Sequence, residues 1–121
     1  MNRILIVDDS AVMHAYYRHV LGGLGDCRMV FARHGEEALA KIKTEGHPDV
    51  IVLDINMPVM DGLEFLRQLR SLPMRQAAVI IVSTEGREED LQRGLEAGAD
   101  GYVCKPFQPR QLQELVRTYI S

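Results

Sequence analysis

The strongest constraint on the fold is an alternation. Five short apolar runs, most of them β-branched, are each followed by a stretch with helical spacing: Ile4 to Val7, Met29 to Ala32, Val50 to Leu53, Ala78 to Val82 and Gly101 to Val103. Parallel strands cannot be joined by tight turns; they need long right-handed crossovers, which helices supply. Val50-Ile51-Val52-Leu53 is apolar at every position, the pattern of a strand covered on both faces. The expected fold class is therefore α/β, a doubly wound five-stranded parallel sheet with five helices.

The helical patterns differ in strength. Met13, Tyr16, Tyr17, Val20, Leu21 and Leu24 fall on one helix face, as do Leu112, Leu115, Val116 and Tyr119. Weaker patterns lie at Ala38, Leu39 and Ile42, at Leu63, Leu66 and Leu69, and at Leu91 and Leu95. Ser10 is suited to an N-cap, Gly22 and Gly23 to a helix stop, Pro109 to a first turn, and Glu88, Glu89 and Asp90 to the positive end of a helix dipole. The chain has 121 residues and shows no repeat, linker or low-complexity stretch. One domain over 1–121 is expected, large enough to bury a single core.

Charge narrows the function. Fourteen basic residues against 17 acidic ones give a net charge of -3, with no basic cluster, so direct nucleic-acid binding is not expected. No apolar run approaches a membrane span and no signal-type segment follows Met1, so a cytoplasmic protein without membrane association is expected. Cys27 and Cys104 lack zinc-motif spacing and are read as reduced thiols. His14, His19, His34 and His47 show no ligand spacing and are read as surface or helix residues; Arg67, Arg70 and Arg75 are read as a solvated face.

Chemistry concentrates at the strand ends. In a parallel sheet the C-terminal ends of all strands share one edge, where ligands bind. Asp8 and Asp9 follow the first run, Asp54 the third, Ser83 the fourth and Lys105 the fifth. Adjacent carboxylates after a buried strand repel one another and lose hydration, so they call for a cation. An Asp pair alone is as often a turn device; three carboxylates, a hydroxyl and an ammonium on one edge suit Mg2+, or Mn2+, and phosphoryl transfer to a carboxylate.

The motifs "VDDS", "LDINMPVMDG", "VSTE", "GADGY" and "KPF" resemble the successive signatures of bacterial two-component response-regulator receiver domains over essentially the whole chain, nearest the small chemotaxis type. The resemblance implies the flavodoxin-like strand order 2-1-3-4-5. It also implies Asp54 as phosphoryl acceptor, a metal site of Asp8, Asp9, Asp54 and the Asn56 backbone carbonyl, and Lys105 as the ammonium on the phosphoryl group. Ser83 and Tyr102 are the implied switch pair, Asn56 and Glu85 the positions that tune hydrolysis, and Thr84 a bulkier neighbour than many relatives carry. The Asn56 and Glu85 pair resembles the fast-turnover chemotaxis type, so a short-lived phosphoryl group is expected. Lys105-Pro106 is implied to be cis.

The implied partners are a sensor histidine kinase or phosphotransfer protein and a downstream effector, met on the face of the fourth helix, fifth strand and fifth helix. Gly101 stands where dimerising relatives often have Asp, so a monomer is expected. No enzyme activity is expected beyond self-phosphorylation and autodephosphorylation within a phosphorelay. One alternative is a receiver module of a longer DNA-binding or enzymatic regulator. Another is a magnesium phosphohydrolase of haloacid dehalogenase type, but that family places a second Asp where this chain has Asn56, and no sequence is left for a cap.

Overall fold

A computed structural model describes residues 2–25, 27–54, 62–72, 77–83 and 88–120. The elements run β1 (Asn2–Val7), α1 (Ala11–Leu21), β2 (Cys27–Ala32), α2 (Gly35–Glu45), β3 (Val50–Asp54), α3 (Gly62–Arg70), β4 (Ala78–Ser83), α4 (Glu88–Ala97), β5 (Gly101–Cys104) and α5 (Pro109–Tyr119). The sheet is five-stranded in the order β2-β1-β3-β4-β5, with every pairing parallel. Successive residues of a strand face opposite sides, and β1 shows why its run is apolar throughout. Leu5 and Val7 pack with Leu39, Ile42, Phe65 and Leu69 of α2 and α3 on one face, while Ile4 and Ile6 pack with Tyr17, Leu21, Leu112 and Val116 of α1 and α5 on the other.

Strand ends are longer than the apolar runs. Asn2 and Arg3 pair with Cys27 and Arg28, because a backbone ladder needs no apolar side chain. At the other end Asp54 still pairs with Val82, and Ser83 with Cys104, so both are last strand residues rather than loop residues.

The helix boundaries follow local chemistry. The Ser10 hydroxyl accepts from the Met13 amide at 3.2 Å and caps α1. Gly22 ends it in a right-handed conformation, φ -64; glycine is needed there because a Cβ would lie 2.6 Å from the Arg18 carbonyl oxygen. Pro109 opens α5, where the Gln108 amide donates to Gln111 Oε1 at 2.9 Å. α2 is capped by a histidine that the sequence marks only as a surface or helix residue: Nδ1 of His34 accepts from the Glu37 amide at 3.2 Å.

The pattern at Leu91 and Leu95 does mark α4, with the two side chains 38% and 45% exposed; α4 turns Gly94 toward the sheet, so close that a Cβ would fall 2.8 Å from Ile81 Cδ1 and 3.5 Å from the Tyr102 ring. One expectation needs correction. Arg70 does not belong to a solvated face with Arg67. Its guanidinium donates to the carbonyls of Ala77 (2.8 Å) and Gly98 (2.8 Å) and pairs with Asp100 at 3.0 Å, tying α3 to the turns before β4 and β5. Arg67 does stand in solvent beside Glu64, and Arg75 lies outside the described residues.

Candidate functional site

β1 pairs with β2 on one side and β3 on the other, so the chain changes direction across the sheet between β1 and β3. A crevice opens at such a switch point beyond the strands' C-terminal ends. Asp8 follows β1 directly and Asp54 closes β3. Oxygens of Asp8, Asp9 and Asp54 all lie within 4.8 Å of one another. Asp8 and Asp54 are buried and Asp9 is exposed, so the cluster has a walled side and an open side.

Asp8 is held on three sides. Its amide donates to the Ala32 carbonyl at 3.0 Å, its Oδ1 accepts from the Ser10 amide at 2.9 Å, and its carbonyl oxygen accepts from Nε2 of His14 at 2.6 Å. A carbonyl offers no proton, so Nε2 carries one. The His14 ring lies 5.0 Å from that of Phe31, over which Arg18 also stands at 4.7 Å. Sequence spacing alone missed His14; its place in the first turn after the Ser10 cap is the signal that it reaches back to the acid pair.

The remaining Asp8 oxygen, Oδ2, is buried without a hydrogen-bond partner among the described residues. Burial raises the Asp8 pKa above the ordinary carboxylate value; the Ser10 amide and then the Lys105 ammonium pull it down, Asp9 raises it and His14 lowers it, and the balance stays upward. A carboxylate so placed calls for a further partner at Oδ2. The donor set is all oxygen, as a hard divalent cation requires, so the residues fit the group implied by the sequence.

The fifth strand brings the cationic group. The Lys105 amide donates to the Ser83 carbonyl at 2.7 Å, which sets the lysine beside the end of β4, and its charge acts on Asp8. Ser83 is fully buried. The Lys105-Pro106 bond is cis. Tyr102 is half-buried on β5 and packs on the α2–α3 side of the sheet. Thus Asp8, Asp9 and Asp54 meet, Lys105 and Ser83 adjoin each other with Lys105 acting on Asp8, and Tyr102 stands apart beside α4. Asn56, Thr84 and Glu85 lie outside the described residues.

The fold and the site define a small doubly wound α/β domain with an acidic cluster at its switch point. Residues 4–117 match the model of the response regulator receiver domain, and the chain belongs to that family. It is 34% identical over 120 residues to the chemotaxis protein CheY1 of Helicobacter pylori, covering 98% of this chain and 97% of that protein. It is 37% identical over 118 residues to the alkaline phosphatase synthesis transcriptional regulatory protein PhoP of Bacillus subtilis, covering 98% of this chain but 48% of PhoP. Among solved structures, chemotaxis response regulator CheY4 of Vibrio cholerae superposes with a TM-score of 0.88 at 35% identity, covering 99% of both chains. Membership places the chain among signalling proteins rather than haloacid dehalogenase phosphatases. Among the described residues no helix is long and apolar enough to cross a membrane.

Proposed function

We propose that this receiver takes a phosphoryl group onto Asp54 from a phosphohistidine of a sensor kinase or phosphotransfer protein. An Asp54 carboxylate oxygen forms the new bond to phosphorus while the bond from phosphorus to the histidine nitrogen breaks, and the departing imidazole keeps the electron pair. The observation that carries this reading is the meeting of three carboxylates from two central strands within 4.8 Å.

Asp8, Asp9 and Asp54 would hold Mg2+ (Mn2+ offers similar chemistry), with the Asn56 carbonyl as the fourth protein ligand. A bound cation supplies neutralisation of the oxygens of the transferring group. The walled side of the hollow keeps Asp54 in place, and the exposed side at Asp9 admits donor. Lys105 contacts the incoming phosphoryl oxygens, and the Ser83 hydroxyl moves to donate to one of them.

Withdrawal of Ser83 frees space next to Tyr102, whose ring turns inward. The modification biases two packings of α4, β5 and α5; shifting a population from 1:99 to 99:1 takes about 5.5 kcal/mol. The uncovered Leu91 and Leu95 of α4 and an open groove of about 770 Å3 lined by Tyr102, Lys105, Gln111 and Glu114 give an effector protein a mixed apolar and polar surface. Asn56 and Glu85 set a short phosphoryl lifetime, with Thr84 restricting access. The chain acts as a cytoplasmic monomer with no enzyme activity beyond its own phosphorylation and dephosphorylation. PhoP, about twice as long, favours a second reading in which this unit is the receiver of a longer regulator.

The test is intact mass after incubation with Mg2+ and acetyl phosphate. The parent gains one phosphoryl group and Asp54→Asn gains none; equal gain by both proteins refutes the assignment.

A further inference from the structure

His14 stands in the first turn of α1, its own amide donating to the Ser10 carbonyl at 3.0 Å. From there the imidazole reaches back over the turn, and Nε2 donates to the Asp8 carbonyl oxygen at 2.6 Å. The ring is held from β2 as well. It lies 5.0 Å from the Phe31 ring with an interplanar angle of 39°, and Phe31 pairs with Ile6 in the sheet while its carbonyl accepts from Nζ of Lys41 at 2.7 Å. A donor fixed from both sides holds its acceptor.

The acceptor belongs to the peptide that joins Asp8 to Asp9. A peptide unit is planar, so the direction of its carbonyl sets the plane from which Asp9 departs. On the Asp8 side the chain is already fixed, its amide by the Ala32 carbonyl at 3.0 Å and its Oδ1 by the Ser10 amide at 2.9 Å. Asp9 is exposed, so packing restrains its side chain little and the peptide behind it carries the restraint. Mg2+ demands near-ideal octahedral geometry, so a swing of one carboxylate costs affinity.

We propose that His14 is a positioning residue of the acid centre: its Nε2–H clamps the Asp8–Asp9 peptide and so aims the exposed Asp9 carboxylate toward the oxygens of Asp8 and Asp54 that lie within 4.8 Å of its own. This rests on the reading that Asp8, Asp9 and Asp54 hold Mg2+. The ring is no ligand itself and acts through the main chain. Partners behind a metal ligand typically alter metal affinity by 10–100-fold.

The test measures Mg2+ binding by calorimetry on the full chain without any phosphodonor, with urea midpoints in the absence of Mg2+. His14→Phe keeps a ring against Phe31 and removes the donor; His14→Gln removes the ring and offers an amide N–H at the reach of Nε2. The expected result is Mg2+ affinity about tenfold weaker in His14→Phe and within about twofold of the parent in His14→Gln, whichever variant has the lower metal-free midpoint. In the metal-free parent, nitrogen NMR should show the His14 proton on Nε2. Affinity of His14→Phe within about twofold of the parent, equal weakening in both variants, or a ring with Nε2 unprotonated overturns the role of His14 alone. A parent that does not bind Mg2+ overturns both that role and the metal reading.

Discussion

Asp8 combines the burial of a core residue with the charge of a ligand. Its carboxyl is pushed toward the protonated form chiefly by burial, so its pKa is higher folded than unfolded. Its contribution to stability is therefore fully present below the unfolded value of 3.8 and is lost as pH rises through the folded value. In the metal-free protein one oxygen of Asp8 is buried without a partner among the described residues, and an unsatisfied buried acceptor costs about 1–3 kcal/mol. Asp8→Asn should accordingly raise metal-free stability at pH 7 by about 1 kcal/mol and abolish further stabilisation by Mg2+, as read from urea midpoints with and without the ion. Loss of stability in the metal-free variant would contradict this account of the site.

Elements and their joints explain what the sequence made legible. All five strands and five helices were readable, because a buried parallel strand is apolar at every position and its crossover helix shows a period near 3.6. Ser10, Pro109 and the strand-end acids were readable for the same local reasons. Arg70 and the exposure of Leu91 were not, since an arginine that seals two distant turns and a leucine left outside are decided by tertiary neighbours; His34 caps α2 locally through Nδ1, but histidine is not among the usual capping residues. The site was legible in its residue types, but His14 was read as a surface or helix residue because its ring reaches the Asp8 carbonyl only once α1 is laid on the sheet. Arg70→Ala strips the Gly98 and Ala77 carbonyls of their donor and should cost about 2 kcal/mol by urea denaturation, whereas Arg67→Ala, exposed beside Glu64, should cost less than about 1 kcal/mol. Equal losses would contradict the distinction.

At the scale of the whole molecule the two ends of the sheet do different work. The C-terminal edge gathers charge for a ligand, and the opposite edge is fastened by Arg3, which donates to the carbonyls of Glu45 (2.9 Å) and His47 (2.8 Å), and by Arg70. His47 sits in that fastening with both ring nitrogens buried and unpartnered among the described residues; burial and then Arg70 lower its pKa below 6.5. Its stabilising effect is present above the unfolded value and is lost as pH falls through the folded one. The melting temperature of the parent should therefore fall more between pH 7 and pH 5 than that of His47→Gln; an equal fall would show that His47 does not contribute.

The central claim is that residues from β1 and β3 form one centre whose nucleophile is Asp54. Borohydride reduces an acyl phosphate to an alcohol, so a phosphorylated aspartate becomes homoserine, which peptide mass spectrometry locates. After treatment with acetyl phosphate, conversion at Asp54 alone and only with Mg2+ present is the predicted result. Conversion at Asp8 or Asp9, or conversion at Asp54 that is indifferent to Mg2+, would contradict it.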